Sequence, residues 1–133
     1  MSDERTAPGP GSVAWRDLTV DDAAAIRDFY AEVVGWSASE VDMGGYTDYE
    51  LRTPAGDIAA GICHARADNA ELPPVWLIYV MVEDLDASLS AVRARGGEVE
   101  GPVRGGEGGD RWAVIRDPAG AALALYEPAP PAP

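Results

Sequence analysis

Arg116-Asp117-Pro118-Ala119-Gly120 leads into the apolar run Ala121-Ala122-Leu123-Ala124-Leu125-Tyr126, and 64 residues earlier stands Arg52-Thr53-Pro54-Ala55-Gly56 leading into Asp57-Ile58-Ala59-Ala60-Gly61-Ile62. In each, Pro presets one turn dihedral and Gly accepts a positive one, so each stretch reads as a tight turn feeding a strand. Two more landmarks recur in the same order, 62 residues apart: Val20-Asp21-Asp22 with Val82-Glu83-Asp84, and Gly35 with Gly97. Repeated landmarks at nearly constant spacing mark an internal duplication.

Outward from these turns, both halves read strand, helix, three strands. In the first half, alternation predicts a strand over 13–20 with Trp15, Asp17 and Thr19 on one face. Asp21 and Asp22 are N-cap candidates, Ile26, Phe29, Tyr30, Val33 and Val34 follow at helical spacing, and Gly35 ends the helix. Strands are predicted over 36–41, 46–52 and 57–64. The second half repeats this with strands over 76–82, 98–103, 112–116 and 121–126 and a helix over 84–95 that buries Leu85, Leu89 and Val92. The organisation is an N-terminal arm over 1–12, taken as disordered, then a domain over 13–128 and a Pro/Ala tail over 129–133. Within the domain, module 1 covers about 13–64, a polar linker 65–74, and module 2 about 75–128. A sheet with one helix layer leaves its other face uncovered. Pairing two such halves makes a shared concave surface, the kind of place small molecules bind.

Composition narrows the partners. The 133 residues carry a net charge of −13, and all ten basic residues are arginines. Such a chain is repelled by phosphate backbones and anionic membranes, so neither nucleic acid nor a membrane is expected as partner. Cationic ligands are attracted, although an acidic surface also serves solubility alone. One cysteine, Cys63, excludes an intramolecular disulfide. No apolar run reaches membrane-spanning length and the N-terminus lacks signal-peptide character, so a cytoplasmic protein is expected. The Ala and Arg richness suggests a bacterial source.

The chain resembles the vicinal oxygen chelate superfamily, which includes glyoxalase I, bleomycin-resistance proteins and extradiol dioxygenases. The resemblance is carried by Trp15 to Asp22 running into Ile26 to Tyr30 and ending at Gly35-Trp36, by Val80 to Ala87, and by Arg116-Asp117-Pro118-Ala119-Gly120 to Leu125-Tyr126-Glu127-Pro128. It covers about residues 13 to 128 and is strongest to small glyoxalase/bleomycin-resistance proteins. It implies an α+β fold of two βαβββ modules in tandem forming a concave mixed sheet, and a homodimer.

The resemblance also implies where a divalent metal would be held: by His, Gln or Glu on the first and last strand of each module. Seven residues before Asp22 and Asp84 stand Trp15 and Leu77; seven after Thr53 and Asp117 stand Ala60 and Ala124. None offers the nitrogen or oxygen donor such a cation needs. No metal and no cofactor are therefore expected.

Alternation from those positions gives the expected ligand-lining set: Trp15, Asp17, Ala60, Ile62, His64, Leu77, Tyr79, Met81, Ala124 and Tyr126. Trp112 joins as a stacking surface. Arg111 and Asp110 follow the stretch Gly105-Gly106-Glu107-Gly108-Gly109, which lacks the Lys and Ser/Thr of a phosphate loop and reads as a mobile loop at the cleft mouth. Catalytic candidates are Asp17, His64 and Tyr79. His64, the only histidine, reads either as a general base or as a strand-end residue beside the linker. Cys63 points away from it and reads as a packed thiol.

Three functions follow, in order. The first is a small-molecule binder that sequesters a drug or metabolite, cationic or aromatic. The second is a cofactor-free cyclase, isomerase or hydrolase of secondary metabolism using Asp17, His64 or Tyr79. The third is a metal-dependent lyase or dioxygenase with displaced ligands Asp17, His64 and Glu50 or Glu127.

Overall fold

The computed structural model describes residues 9–66, 69–106 and 108–130. The elements run β1 (Val13–Val20), α1 (Ala23–Val34), β2 (Ser37–Asp42), β3 (Thr47–Arg52) and β4 (Ile58–His64). They continue with β5 (Leu77–Met81), α2 (Leu85–Ala94), β6 (Glu98–Gly105), β7 (Arg111–Arg116) and β8 (Ala122–Glu127). This is the expected α+β order, strand–helix–three strands, written twice. The chain forms two compact units: Arg16–Leu77, and the chain from Ile78 onward together with the segment up to Trp15.

In the Arg16–Leu77 unit the strand order is β2-β3-β4-β1, with β1 and β4 parallel and the other pairs antiparallel. Asp22 caps α1 by accepting the Ala25 N–H (3.1 Å), and Gly35 closes it by donating its N–H to Ala31 O (3.1 Å). One face of the sheet packs on α1 through Ala23, Tyr49, Leu51, Ala60 and Ile62, with Val20, Ile26, Tyr30 and Trp36 around them.

In the other unit the order is β5-β8-β7-β6, with β5 and β8 parallel. Asp84 caps α2 through the Ala87 N–H (3.0 Å). The core joins Leu85 and Leu89 of α2 to Ala113, Ile115 and Leu125, flanked by Val80, Val82, Val92 and Val99. Gly97 follows α2 where a Cβ would lie 2.7 Å from Arg116 O, so only glycine lets the chain turn this close to β7.

The duplicated turns are the same structure. Thr53 N donates to Asp57 O (2.8 Å) and Gly56 N to Thr53 O (2.8 Å); Asp117 N donates to Ala121 O (2.9 Å) and Gly120 N to Asp117 O (2.8 Å). The preceding arginine closes each turn, Arg52 Nη1 on Gly56 O (3.0 Å) and Arg116 Nη1 on Gly120 O (3.1 Å). This shared bond is why the repeat includes Arg.

Past the turns the halves diverge by one residue. Arg52 pairs with Ile58 and Leu51 with Ala60, leaving Ala59 as a bulge; Arg116 pairs with Ala122 and Ile115 with Leu123, with none. The freed Ala59 carbonyl accepts the Arg16 Nε–H (2.8 Å). A bulge reverses which side chains face which side of the sheet from that point on.

Part of the N-terminal arm, 1–8, lies outside the described residues. Gly11 and Ser12, read as arm, instead bracket Met81: Gly11 N donates to Met81 O (2.7 Å) and Met81 N to Ser12 O (2.9 Å). Of the tail, Ala129 N donates to Asp110 Oδ1 (2.7 Å), while 131–133 lie outside the described residues. Among the described residues no helix is long and apolar enough to cross a membrane.

Candidate functional site

In the β5-β8-β7-β6 unit, the sheet face turned away from α2 carries an aromatic row. Ala113, Ile115, Leu125 and Val80 occupy the α2 side. Alternation therefore puts Trp112, Tyr126, Ala124 and Tyr79 on the opposite side. Trp112 and Tyr126 are direct cross-strand partners, as are Tyr79 and Ala124. Ala124 is fully buried, and the rings of Tyr79 and Trp112 stand 5.5 Å apart at 58°. With Ala14, Trp15 and Asp110 these rings line a recess of about 380 Å³. A pocket of this make-up, mostly aromatic with one charge, suits a small ring-bearing molecule.

The glycine-rich connection sets Asp110 at this recess. Gly105 has φ 75°, and a Cβ there would meet Asp110 O at 2.1 Å. Gly106 N donates to that same oxygen (3.0 Å), which closes the base of the turn. The Asp110 carboxylate holds Ala129 N and lies near Tyr126. Burial, and then the Asp110 charge, push the Tyr126 hydroxyl above the usual tyrosine range, so it remains a neutral hydrogen-bond donor. On the other side of Trp112, its cross-strand partner Arg104 lays its guanidinium 4.9 Å from the ring centre.

The structure thus brings together Trp15, Tyr79, Trp112 and Tyr126 from the expected set. Met81 lines a separate recess with Pro10, Val82, Glu83, Glu127 and Pro128. Arg111 does not line the aromatic recess; it lies 3.3 Å from Glu127 and 3.4 Å from Asp86. Glu127 in turn accepts the Leu85 N–H (2.8 Å) at the start of α2.

That amide first, and the Arg111 guanidinium second, hold the Glu127 carboxyl below the usual carboxylate range. A lowered folded-state value stabilises above the ordinary carboxylate pKa of about 4.3 and is lost as pH falls through the folded value. Glu127→Gln is therefore expected to flatten the decline of the melting temperature below about pH 4. An unchanged acid slope in circular dichroism melts would count against this contact.

The Arg16–Leu77 unit holds the rest of the set, and here the bulge matters. Ala60 and Ile62, expected toward the cleft, pack in the core against Ala23 of α1, at 2% and 0% exposure. Gly61 and Cys63 take the opposite face, in register with Asp17 and Thr19 of β1. Cys63 Sγ lies 4.0 Å from Asp17 Oδ2. Burial first, then the Asp17 and Asp48 carboxylates, raise this thiol far above its ordinary value, so it is a thiol and not a nucleophile.

His64 closes the β3–β4 end. Its Nδ1 is 2.8 Å from Thr47 O and its backbone N–H donates to the buried Asp48 (2.9 Å). Tyr46 and Tyr49 flank the ring. This is the strand-end role that the sequence left open beside the catalytic one. Leu77 is buried. Glu50 is committed to Arg52 (2.8 Å).

The divalent metal of the resembled family does not fit this chain. With the bulge counted, the residue in β4 equivalent to Ala124 is Gly61, so the four places hold Trp15, Gly61, Leu77 and Ala124, none with a donor side chain for a cation. Among the described residues no three of His, Cys, Asp and Glu converge as a ligand set, the Asp17, His64, Glu50 and Glu127 combinations included.

Two site residues escaped the sequence reading. Ala14 alternates away from Trp15 yet lines the recess. Arg104 lay past the expected end of its strand, and a register shift between Glu100 and Arg104 sets it opposite Trp112. The signal for that shift is Gly101-Pro102, since a glycine inside a strand and a proline both mark a bulge.

Compared with known proteins, residues 11–125 match the model of the Glyoxalase/Bleomycin resistance protein/Dioxygenase superfamily. The anthracycline biosynthesis protein DnrV of Streptomyces peucetius is 33% identical over 129 residues, covering 88% of this chain and 47% of that protein. The chain thus spans about half the length of the curated relatives it matches. A methylmalonyl-CoA epimerase of Mycobacterium tuberculosis has the same fold: TM-score 0.53 and 22% identity, over 96% of this chain and 95% of that one. So does the Streptomyces coelicolor methylmalonyl-CoA epimerase with 2-nitronate-propionyl-CoA: TM-score 0.55 and 19% identity, over 92% of this chain and all of that one.

Proposed function

We propose, for a chain that belongs to the Glyoxalase/Bleomycin resistance protein/Dioxygenase superfamily, that it binds a planar, ring-bearing small molecule without the family's metal. The carrying observation is the convergence of Trp15, Tyr79, Trp112 and Tyr126 around one recess with a single carboxylate, Asp110. Ring faces stack on planar ligands, and Asp110 adds a preference for a ligand with a hydrogen-bond donor or a positive charge nearby. The name of the Streptomyces peucetius relative, an anthracycline biosynthesis protein, supports a place in secondary metabolism. The single cysteine of this chain, which allows no intramolecular disulfide, suits a reducing cytoplasm.

A neutral planar probe, 2-methylanthraquinone, tests the reading. Saturable quenching of tryptophan fluorescence is expected, together with about 2.7 kcal/mol of added stability at 100 times its Kd. No quenching and no thermal shift at the solubility limit overturn it.

The same reading includes a second copy of the chain as partner. Helix α1 leaves Phe29 and Val33 at 55% and 62% exposure, beside a recess lined by Ile26, Tyr30, Pro74 and Trp76. An apolar helix face of this kind is a common contact surface. The double variant Phe29→Glu, Val33→Glu is expected to turn a dimer in sedimentation equilibrium into a monomer. A wild type that sediments as a monomer at all concentrations removes this part of the proposal.

A further inference from the structure

Arg104 stands out among the described residues. Among the described residues its Nε and Nη1 are buried and have no hydrogen-bond partner. A desolvated guanidinium normally finds an oxygen acceptor, and an orphan of this kind calls for a cause. The neighbouring carboxylate does not supply it. Glu100 is on the same strand, but it accepts from Arg116 Nε (2.5 Å) and Nη2 (3.4 Å) and makes no hydrogen bond to Arg104. Glu100 reaches Arg104 through its charge and not through a hydrogen bond, and the indole of Trp112 lies 4.9 Å from the guanidinium carbon.

That indole is also a wall of the aromatic recess. Arg104 and Trp112 are register partners on adjacent strands, so a flat molecule lying on Trp112 extends toward the guanidinium. On the Nη2 side stands Gly101, where even a Cβ would come within 3.4 Å, so the missing side chain leaves room beside the charge.

We infer that Arg104 is a ligand-binding residue for an oxygen anion at one end of the planar ligand, set across Trp112 from the Asp110 end. This deepens the proposed function and rests on it. The ligand class becomes a ring system bearing a carboxylate or ionised enol or phenol group, which gives the guanidinium an oxygen acceptor on its open Nη2 side. The net charge of −13 opposes anions only at long range, where salt screens it beyond about 8 Å, and the local contact decides.

Two probes separate this from the parent reading: 2-methylanthraquinone and anthraquinone-2-carboxylate, which differ in a carboxylate for a methyl. Wild type is expected to bind the carboxylate at least about tenfold more tightly, as a charge-assisted hydrogen bond implies. Arg104→Met removes that advantage while the methyl compound keeps its affinity, and Arg104→Lys keeps part of it. Matching thermal melts of Arg104→Met and wild type exclude a folding defect as the cause. If the methyl compound binds and the carboxylate gains nothing, or if Arg104→Met retains the preference, the anion site is wrong and the aromatic recess stands. If neither compound binds wild type, both fall.

Discussion

Ile62→Ala is expected to destabilise the protein by about 2–5 kcal/mol while leaving probe binding at the aromatic recess unchanged. Ile62 is fully buried and belongs to the cluster of Ala23, Tyr49, Leu51 and Ala60 beneath α1. Truncation deletes three carbons and leaves a cavity that the surrounding strands and helix fill only in part. Simple alternation from the turn at 52–56 gives the opposite expectation, a cleft residue whose loss weakens the ligand and spares the fold. Urea denaturation and a 2-methylanthraquinone titration, run on the same variant, decide between the two. A loss of affinity with unchanged stability would mean that Ala59 is not a bulge and that β4 presents Ile62 to the other face. The thermal cost of this one substitution therefore reads the register of β4 directly.

The second large effect is at Trp112. Trp112→Ala is expected to weaken binding of 2-methylanthraquinone by about 30- to 1000-fold, the range of a central aromatic contact worth about 2–4 kcal/mol. Trp112 meets Tyr79 on one side and Arg104 on the other, and its cross-strand partner Tyr126 lines the same recess. Removing it takes away the stacking surface and also the π face that compensates the guanidinium. Trp112→Phe keeps a ring in place and is expected to recover most of the affinity, which separates stacking from general disturbance. Equal affinity of Trp112→Ala and wild type, within twofold by calorimetry, would move the binding site away from this recess.

The two variants belong to different units of the chain, and their separation shows what each level of description supplied. The repeat of Arg-x-Pro-Ala-Gly was legible because the turn needs those residues locally: Pro and Gly for dihedrals, Arg to close the turn on the Gly carbonyl. The helices were legible through Asp22 and Asp84 as caps and through the spacing of their apolar faces. The aromatic recess was legible in part. Trp15, Tyr79 and Tyr126 follow from alternation in strands without irregularity, and Trp112 was recognised as a stacking surface.

Register shifts mark where that reading stopped. One inserted residue at Ala59 sends Ala60 and Ile62 to the core and Gly61 and Cys63 to the other face, and the shift between Glu100 and Arg104 brings an arginine against Trp112. At Ala59 the residue types leave the bulge unmarked, whereas Gly101-Pro102 marks the second shift without fixing its size; the partner strand determines which residues are left unpaired. Likewise the sequence offers Arg111 and His64 as site residues by proximity to a loop and by residue type. Their neighbours Glu127, Asp86, Thr47 and Asp48 assign them to holding α2 and the β3–β4 end.

The sequence by itself therefore determined the duplicated turns and the α+β order, because each is a local property of residue type and spacing. Only the tertiary structure decided which face of each strand meets the helix, and that a half-buried arginine lies beside the aromatic wall, because facing and burial depend on pairing with strands far away in the chain.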